Sequence, residues 1–358
     1  MSRTPLRLDR PRLLASLAAT LALTAVAACG SNQPVKLAAK PSPSPTARST
    51  TAAPTAVPTP PPTPVPTIVA GATYNAPAII QVENLNAARP QSGLSSANVV
   101  YEYSAEGGIS RFSAIYFASP KGQVGPVRSA RLISPVLVRQ YGATLIYSGS
   151  SGYVYSRMGT WNIPRFEETS AGKDMFRISS RGAPHNLYTD GGRVDDLVRR
   201  SARPAVSYTL WDRAVTAPGG APVSGFTVPV SPSEQPSWGW NAGAGGWQRS
   251  EPDTGIFTDA NNGQPITVPT VVVMQVPANL NKDDIEDGCC TPGWEYFLNG
   301  TGPAQVFTGG AGYTATWSAS EFGGPPKFTL AGGAAAPIAP GNVWIEVVPT
   351  GNAAATRG

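Results

Sequence analysis

The chain has 358 residues, enough for two ordinary domains, and its 27 Lys and Arg outnumber its 22 Asp and Glu to give a formal charge of +5. That excess is spent before residue 73: residues 73–358 hold 20 bases and 21 acids, which excludes the basic stripe of a nucleic-acid binder. Three cysteines, two of them adjacent, exclude a disulfide-stapled scaffold, and a single histidine argues against a His-rich zinc site. In chain order, four arginines precede the apolar run 13–29, which ends in Val26-Ala27-Ala28-Cys29. The run is short for a bilayer span, which needs about 20 apolar residues. A basic flank, an apolar middle and a small-residue exit instead predict a lipoprotein signal peptide over 1–28. Cys29 is then the lipidated (diacylated, palmitate-type) residue, anchoring the chain to the extracytoplasmic face of the cell membrane. Residues 29–72 continue as a Pro/Ser/Thr-rich linker, too poor in apolar bulk to repay the entropy of folding. As polyproline II at about 3.1 Å per residue, its 34–66 tract reaches roughly 100 Å.

From Thr73 the pattern becomes globular. Ala78–Val82, Asn98–Tyr103 and Arg111–Phe117 read as strands, the last two separated by the turn former Glu106-Gly107-Gly108. Ser134-Pro135 and Gly142 bracket a helix with an N-cap, an N1 proline and a C′ glycine. Thr144–Tyr147 reads as a buried strand, and Gly191–Arg200 as a second helix introduced by Thr189-Asp190. Beyond residue 222 the helical signals stop. Short runs at 270–276, 295–298, 315–317 and 344–348 alternate with Gly, Pro and Asn turns, the spacing of antiparallel β structure. The expected organisation is a mixed α/β (α+β) N-terminal domain over 73–222, a β-rich antiparallel domain over 223–350, and a frayed tail over 351–358. The first of these carries a balance of +6 and residues 223–358 a balance of −7, so they can attract across an interface, or the basic half can hold an anion.

Several strings carry a resemblance. Ala88-Arg89-Pro90-Gln91-Ser92-Gly93-Leu94, Val100-Tyr101-Glu102, Glu106–Phe112, Gly125-Pro126-Val127-Arg128-Ser129-Ala130-Arg131, Ala183-Pro184-His185-Asn186-Leu187-Tyr188 and Trp344–Pro349 together resemble the YerB-like family of bacterial lipoproteins, over roughly residues 75–350. The resemblance implies a two-part domain of unknown function on an exported, lipid-anchored chain. It assigns no reaction, so no catalytic residue is carried over. Some members of that family have been linked to DNA-helicase partners, which an exported chain cannot reach.

The residues that offer chemistry are Glu102, Glu106, Arg111, Arg128, Arg131, His185 and Asn186. On a hairpin, Glu102 and Arg111 fall near the open side and Glu106 at the tip. Arg128 and Arg131 precede a helix start, where two guanidiniums suit phosphate, carboxylate or an acidic sugar. The alternative is a set of internal salt bridges from these arginines to Glu102 and Glu106. Glu102 and Glu106 are also candidate acid/base carboxyls for a glycosidic bond. His185 is the one available imidazole base, with Ser148–Ser151 offering a serine outside the nucleophile-elbow spacing. Trp238, Trp240 and Trp247 fit either β packing or a sugar platform. Asp283–Gly288 misses the EF-hand pattern and reads as a solvated acidic turn. Cys289-Cys290 sit about 3.8 Å apart at Cα, below the disulfide window of about 4.4–6.8 Å, so they are two free thiols, a strained bridge or an intermolecular link. No cofactor and no metal are expected.

The favoured reading is a cell-envelope binding or accessory module for an anionic ligand. In it Arg128 and Arg131 anchor the ligand, Glu102, Glu106 and Arg111 orient them, and His185 with Asn186 close the site. The rivals are an envelope hydrolase acting on glycan or ester bonds, and a structural or protein-interaction scaffold.

Overall fold

The computed structural model describes residues 73–74, 76–207, 211, 213–214 and 216–358. The signal peptide, Cys29 and the proline-rich linker lie outside them. Among the described residues no helix is long and apolar enough to cross a membrane.

The principal strands are β1 (Ala78–Glu83), β2 (Val99–Ser104), β3 (Ser110–Tyr116), β4 (Thr144–Ile146), β5 (Arg165–Phe166), β6 (Gly225–Thr227), β7 (Ser237–Asn241), β8 (Gly246–Glu251), β9 (Thr270–Val276), β10 (Ala278–Ile285), β11 (Pro292–Tyr296), β12 (Gly300–Thr308), β13 (Ala311–Ala319) and β14 (Val343–Pro349). The α-helices are α1 (Ile133–Tyr141), α2 (Gly152–Thr160), the short α3 (Glu168–Ala171) and α4 (Gly191–Ser201).

One eleven-stranded mixed sheet organises the molecule, in the order Ala221–Pro222, β13, β12, β9, β14, β2, β3, β1, β4, β5, with Lys327–Leu330 against β13. Both chain halves therefore share a single sheet, and residue 222 does not divide one sheet from another. The seam is parallel: β14 runs parallel to β9 on one side and to β2 on the other, pairing Glu346 with Glu102. This corrects the expectation of purely antiparallel pairing beyond residue 222. A parallel neighbour can come from anywhere in the chain, so hairpin-type spacing cannot announce it.

The strands at the seam are buried on both faces, as parallel sheets require. Alternate residues therefore feed two cores. Ile79, Val99, Tyr101, Ile115, Val272 and Ile345 pack on one face with α1 and α2. Ile80, Val100, Phe112, Val271, Val273 and Trp344 pack on the other. That second core is closed by a six-stranded sheet of β6, β7 and β8 with Gly255–Ile256, Thr267–Val268 and Ala355–Arg357. Residues 355–357, read from sequence as frayed, pair antiparallel with β6. Trp238 and Trp247 are fully buried there, with Trp238 donating its indole N–H to Glu346 at 3.0 Å, so neither is a sugar platform.

The helix ends follow their sequence signals, with shifts. Gly142 takes the left-handed conformation (φ 60°) at the end of α1. Asp190 accepts the Arg193 N–H at the start of α4. Ser134 lies inside α1 rather than before it, and its hydroxyl accepts the Arg131 N–H at 2.9 Å. Helix α2 went unread because its cap, Ser151, sits in a Gly/Ser run with the look of a loop. Ser151 accepts the Val154 N–H at 3.1 Å.

Candidate functional site

At the β2–β3 hairpin end of the sheet both faces turn polar, and the sequence-predicted residues separate into distinct clusters. Glu102 pairs with Phe112 across the hairpin while Arg111 pairs with Tyr103, so Glu102 and Arg111 point to opposite faces. The sequence reading sets both near the open side of the hairpin with Glu106 at its tip; the register adds that they face opposite ways, since a one-residue offset reverses the face.

On the β7–β8 face, Glu102 is fully buried and clamped by Arg249, whose Nη2 lies 2.7 and 2.8 Å from its two carboxylate oxygens. Glu102 Oε1 also accepts the Ser110 hydroxyl at 2.7 Å. Arg249 bonds Glu251 as well, and its guanidinium lies 4.5 Å from the Phe257 ring centroid and 5.5 Å from those of Phe112 and Trp344. Arg89 binds Glu234 at 2.9 Å and Glu251 at 3.1 Å. Three carboxyls, Glu102, Glu234 and Glu251, thus share two guanidiniums. Burial and the neighbouring Glu102 push Glu346 well above the usual carboxylate range. Burial and Glu251 push Glu234 up to about 7. The cluster fastens the 226–268 segment to the central sheet and offers no open carboxyl.

On the opposite face a second cluster centres on Glu106. Arg131 Nε donates to it at 2.7 Å, and Arg111 Nη2 does so at 3.2 Å. Against a burial penalty that opposes ionisation, Arg111 and Arg131 hold Glu106 down to about 2. Burial and the adjacent Arg131 lower Arg111 to about 10. Neither arginine is free: Arg111 is 0 % and Arg131 5 % exposed. Arg131 also faces Glu286 at 3.2 Å. Asp284 and the Glu286 side chain are buried, which corrects the reading of 283–288 as a wholly solvated turn. Asp284 accepts the Ser151 hydroxyl and lies over Gly293, where any Cβ would collide with it. Burial raises Glu286 to about 8, because Arg131 is already committed to Glu106 and Asp284 adds a second negative neighbour. Glu102 and Glu106 therefore share no partner and flank no common cleft.

The third cluster contains the predicted residues that keep solvent contact. Glu83, at the end of β1, is fully buried. Its Oε2 lies 2.9 Å from His185 Nδ1 and its Oε1 3.1 Å from Arg128 Nε. Three backbone segments make this meeting. Glu83 N–H donates to Pro126, Arg128 N–H donates to Gln81, and Val127 N–H donates to Leu187. An ionised Glu83 only accepts, so Nδ1 then carries the proton, and among the described residues Nε2 meets no partner. The side chains of Arg128 and His185 are each 23 % exposed. The terminal Arg128 nitrogens meet no acceptor among the described residues, and Ser148 N–H donates to the Arg128 carbonyl, bringing the Gly/Ser loop alongside. Asn186 stands apart, its Oδ1 accepting from Arg177 at 2.7 Å.

Glu102, Glu106, Arg111, Arg128, Arg131, His185 and Glu346 lie within the strings that carry the resemblance, whereas Glu83, Arg249 and Glu286 lie outside them. Residues 63–205 match the family described as "Protein of unknown function (DUF3048) N-terminal domain", and residues 226–345 match its C-terminal domain. The chain belongs to this family. A Bacillus subtilis (strain 168) relative with the printed name "Putative lipoprotein YerB" is 25% identical over 290 residues, 79% of this chain and 84% of the relative. The crystal structure of the YerB protein from Bacillus subtilis superposes with a TM-score of 0.67 at 23% identity, covering 80% of this chain and 95% of that one. The fold is thus that of the DUF3048 proteins, and the lipoprotein name of the relative accords with membrane association. In DUF3048 terms, Glu83, Glu102, Arg111, Arg128 and His185 come from the N-terminal segment, while Arg249 and Glu251 come from the C-terminal one.

Sequence reading missed Glu83, Arg249, Glu251, Glu286 and Glu346. A signal existed for two of them: Trp247, Arg249 and Glu251 recur at period 2 and share one strand face. Glu83 closes a strand that is apolar apart from Gln81, where a lone acid passes for the strand's exit.

Proposed function

We propose that this DUF3048 protein is a binding module of the cell envelope, held at the extracytoplasmic face of the membrane by lipid on Cys29, and that it recognises an anionic group through Arg128 and His185. One observation carries the reading. Of the candidate arginines, Arg111 and Arg131 are consumed by buried carboxylates, whereas Arg128 spends only Nε on Glu83 and keeps its terminal donors toward solvent. Glu83 lies beneath both groups, hydrogen-bonded to His185 and ion-paired with Arg128, so the pair is pre-oriented and binding costs little side-chain entropy. A carboxylate or phosphate accepts well from such a guanidinium. The ligand class is therefore an acidic sugar, a phosphosugar or a carboxylated peptide of the envelope.

The test is a thermal-shift and calorimetric screen of the protein against muropeptides, teichoic acids, uronic acids and phosphosugars. A ligand that binds only the folded state raises Tm, by about 2.7 kcal/mol of stabilisation at one hundred times Kd. Arg128→Gln, which keeps an N–H donor for Glu83, abolishes that rise while the unliganded variant still unfolds cooperatively. A response unchanged in Arg128→Gln overturns the assignment.

A further inference from the structure

The β10–β11 hairpin carries a group of side chains that the proposed site does not use. It is fixed to the body where Asp284 bonds Ser151 and Glu295 bonds Arg157, and braced within by Asn281 Nδ2 donating to Glu295 at 2.8 Å. Its tip is closed by the Glu286 N–H donating to the Thr291 carbonyl at 3.0 Å. Within the tip, Asp287 Oδ1 accepts the backbone N–H groups of Cys289, Cys290 and Thr291 at 3.0, 2.9 and 3.0 Å. That clasp turns two adjacent cysteines to the side of the turn occupied by the carboxylate. Cys289 and Cys290 are free, exposed thiols, and Cys290 Sγ lies 3.9 Å from Asp287 Oδ2. The two sulfurs and a carboxylate oxygen all lie within 4.8 Å of one another.

We infer that Asp287, Cys289 and Cys290 form a binding site for a thiophilic d10 cation of the zinc class. Metal–sulfur bonds of about 2.3 Å place two sulfurs on one ion no more than about 4.6 Å apart, with carboxylate oxygen at about 2.0–2.2 Å. The tip is within a side-chain rotation of that geometry, with the backbone already held. Two thiolates and one carboxylate fill three of four tetrahedral positions, leaving the fourth to water or to a ligand atom from outside. Soft sulfur donors select zinc-class ions over calcium and magnesium.

A metal-bound sulfur is a thiolate, so cation entry displaces the two thiol protons. Asp287 Oδ2, which also accepts the Thr291 hydroxyl, loses its Cys290 S–H contact as the proton leaves. No redox step is involved. Affinity falls as pH falls, since protons and cation compete for the same sulfurs.

The test is a titration of the full chain in detergent with Cd²⁺, followed by the ultraviolet thiolate-to-metal charge-transfer band and by proton release, then repeated with Zn²⁺ as competitor. The expected result is one ion per chain, two protons released, and displacement of the band by Zn²⁺. Cys289→Ser and Cys290→Ser each remove most of the band, with Cys29 common to every sample. Asp287→Asn weakens binding about tenfold or more, the scale on which a lost metal contact is felt. Absence of a band in the reduced protein, a band that survives in both serine variants, or half an ion per chain overturns the inference.

Discussion

Arg249→Met is the perturbation whose cost the structure defines best. The side chain is wholly buried, clamps Glu102 with two hydrogen bonds, bonds Glu251, and packs among Phe112, Phe257 and Trp344. Methionine replaces the aliphatic contacts and none of the charge. Removing one partner of a buried ion pair costs about 3–5 kcal/mol, because Glu102 stays buried and unpaired. At about 2–4 °C per kcal/mol for a domain of this size, Tm falls by about 6–20 °C. The sign of its pH dependence follows. In the variant Glu102 stays buried without its guanidinium while Glu251 keeps Arg89 at 3.1 Å, so the charged form of Glu102 is disfavoured in the folded state and the gap between variant and parent widens from pH 5 to pH 8. Urea unfolding at both pH values measures it, and adding Glu102→Gln in the same chain recovers part of the loss. A loss below about 1 kcal/mol, or a gap that narrows with rising pH, refutes the reasoning.

Glu286, raised to about 8 by burial and Asp284, contributes stability that is full below about pH 4.3 and lost as pH rises through about 8. Glu286→Gln flattens the fall in stability between pH 6 and pH 9 in urea titrations, and an unchanged slope contradicts the assignment. Ser151→Ala removes the cap of α2 and the hydroxyl on Asp284 together. It costs at least the ~1 kcal/mol of a lost N-cap, read from the shift of the urea midpoint. Gly93→Ala is destabilising by more than about 1 kcal/mol, since φ is +92° and a Cβ would meet the Gln123 carbonyl at 2.8 Å; differential scanning calorimetry shows it as a lower Tm.

Much of the secondary structure was legible because local signals agree with it. Proline and glycine placement marked α1, Asp190 marked α4, and β-branched runs marked β1, β2, β9 and β14. The join between halves was not legible. Nothing local in Trp344–Val348 says that it inserts parallel between β9 and β2, some 70 and 240 residues away along the chain. The site was half legible for the same reason. Arg128, Arg131 and His185 stood out by type and setting, whereas their carboxylate partners are decided by register. One step of register puts Glu102 on Arg249 and leaves Arg111 to Glu106. The acidic turn misled because β10, whose register is irregular between Asn281 and Ile285, buries Asp284 while Asp283 stays exposed.

His185 is the only histidine in the chain, so its ring proton resonances are a one-site probe of the proposed recognition surface. The most direct measurement follows the His185 Cε1–H resonance by NMR during titration with the envelope glycan that raises Tm most. Saturable movement of that resonance at the calorimetric Kd, lost in Arg128→Gln, is the result expected of a site built on Glu83. A resonance that stays fixed while the ligand binds elsewhere contradicts it.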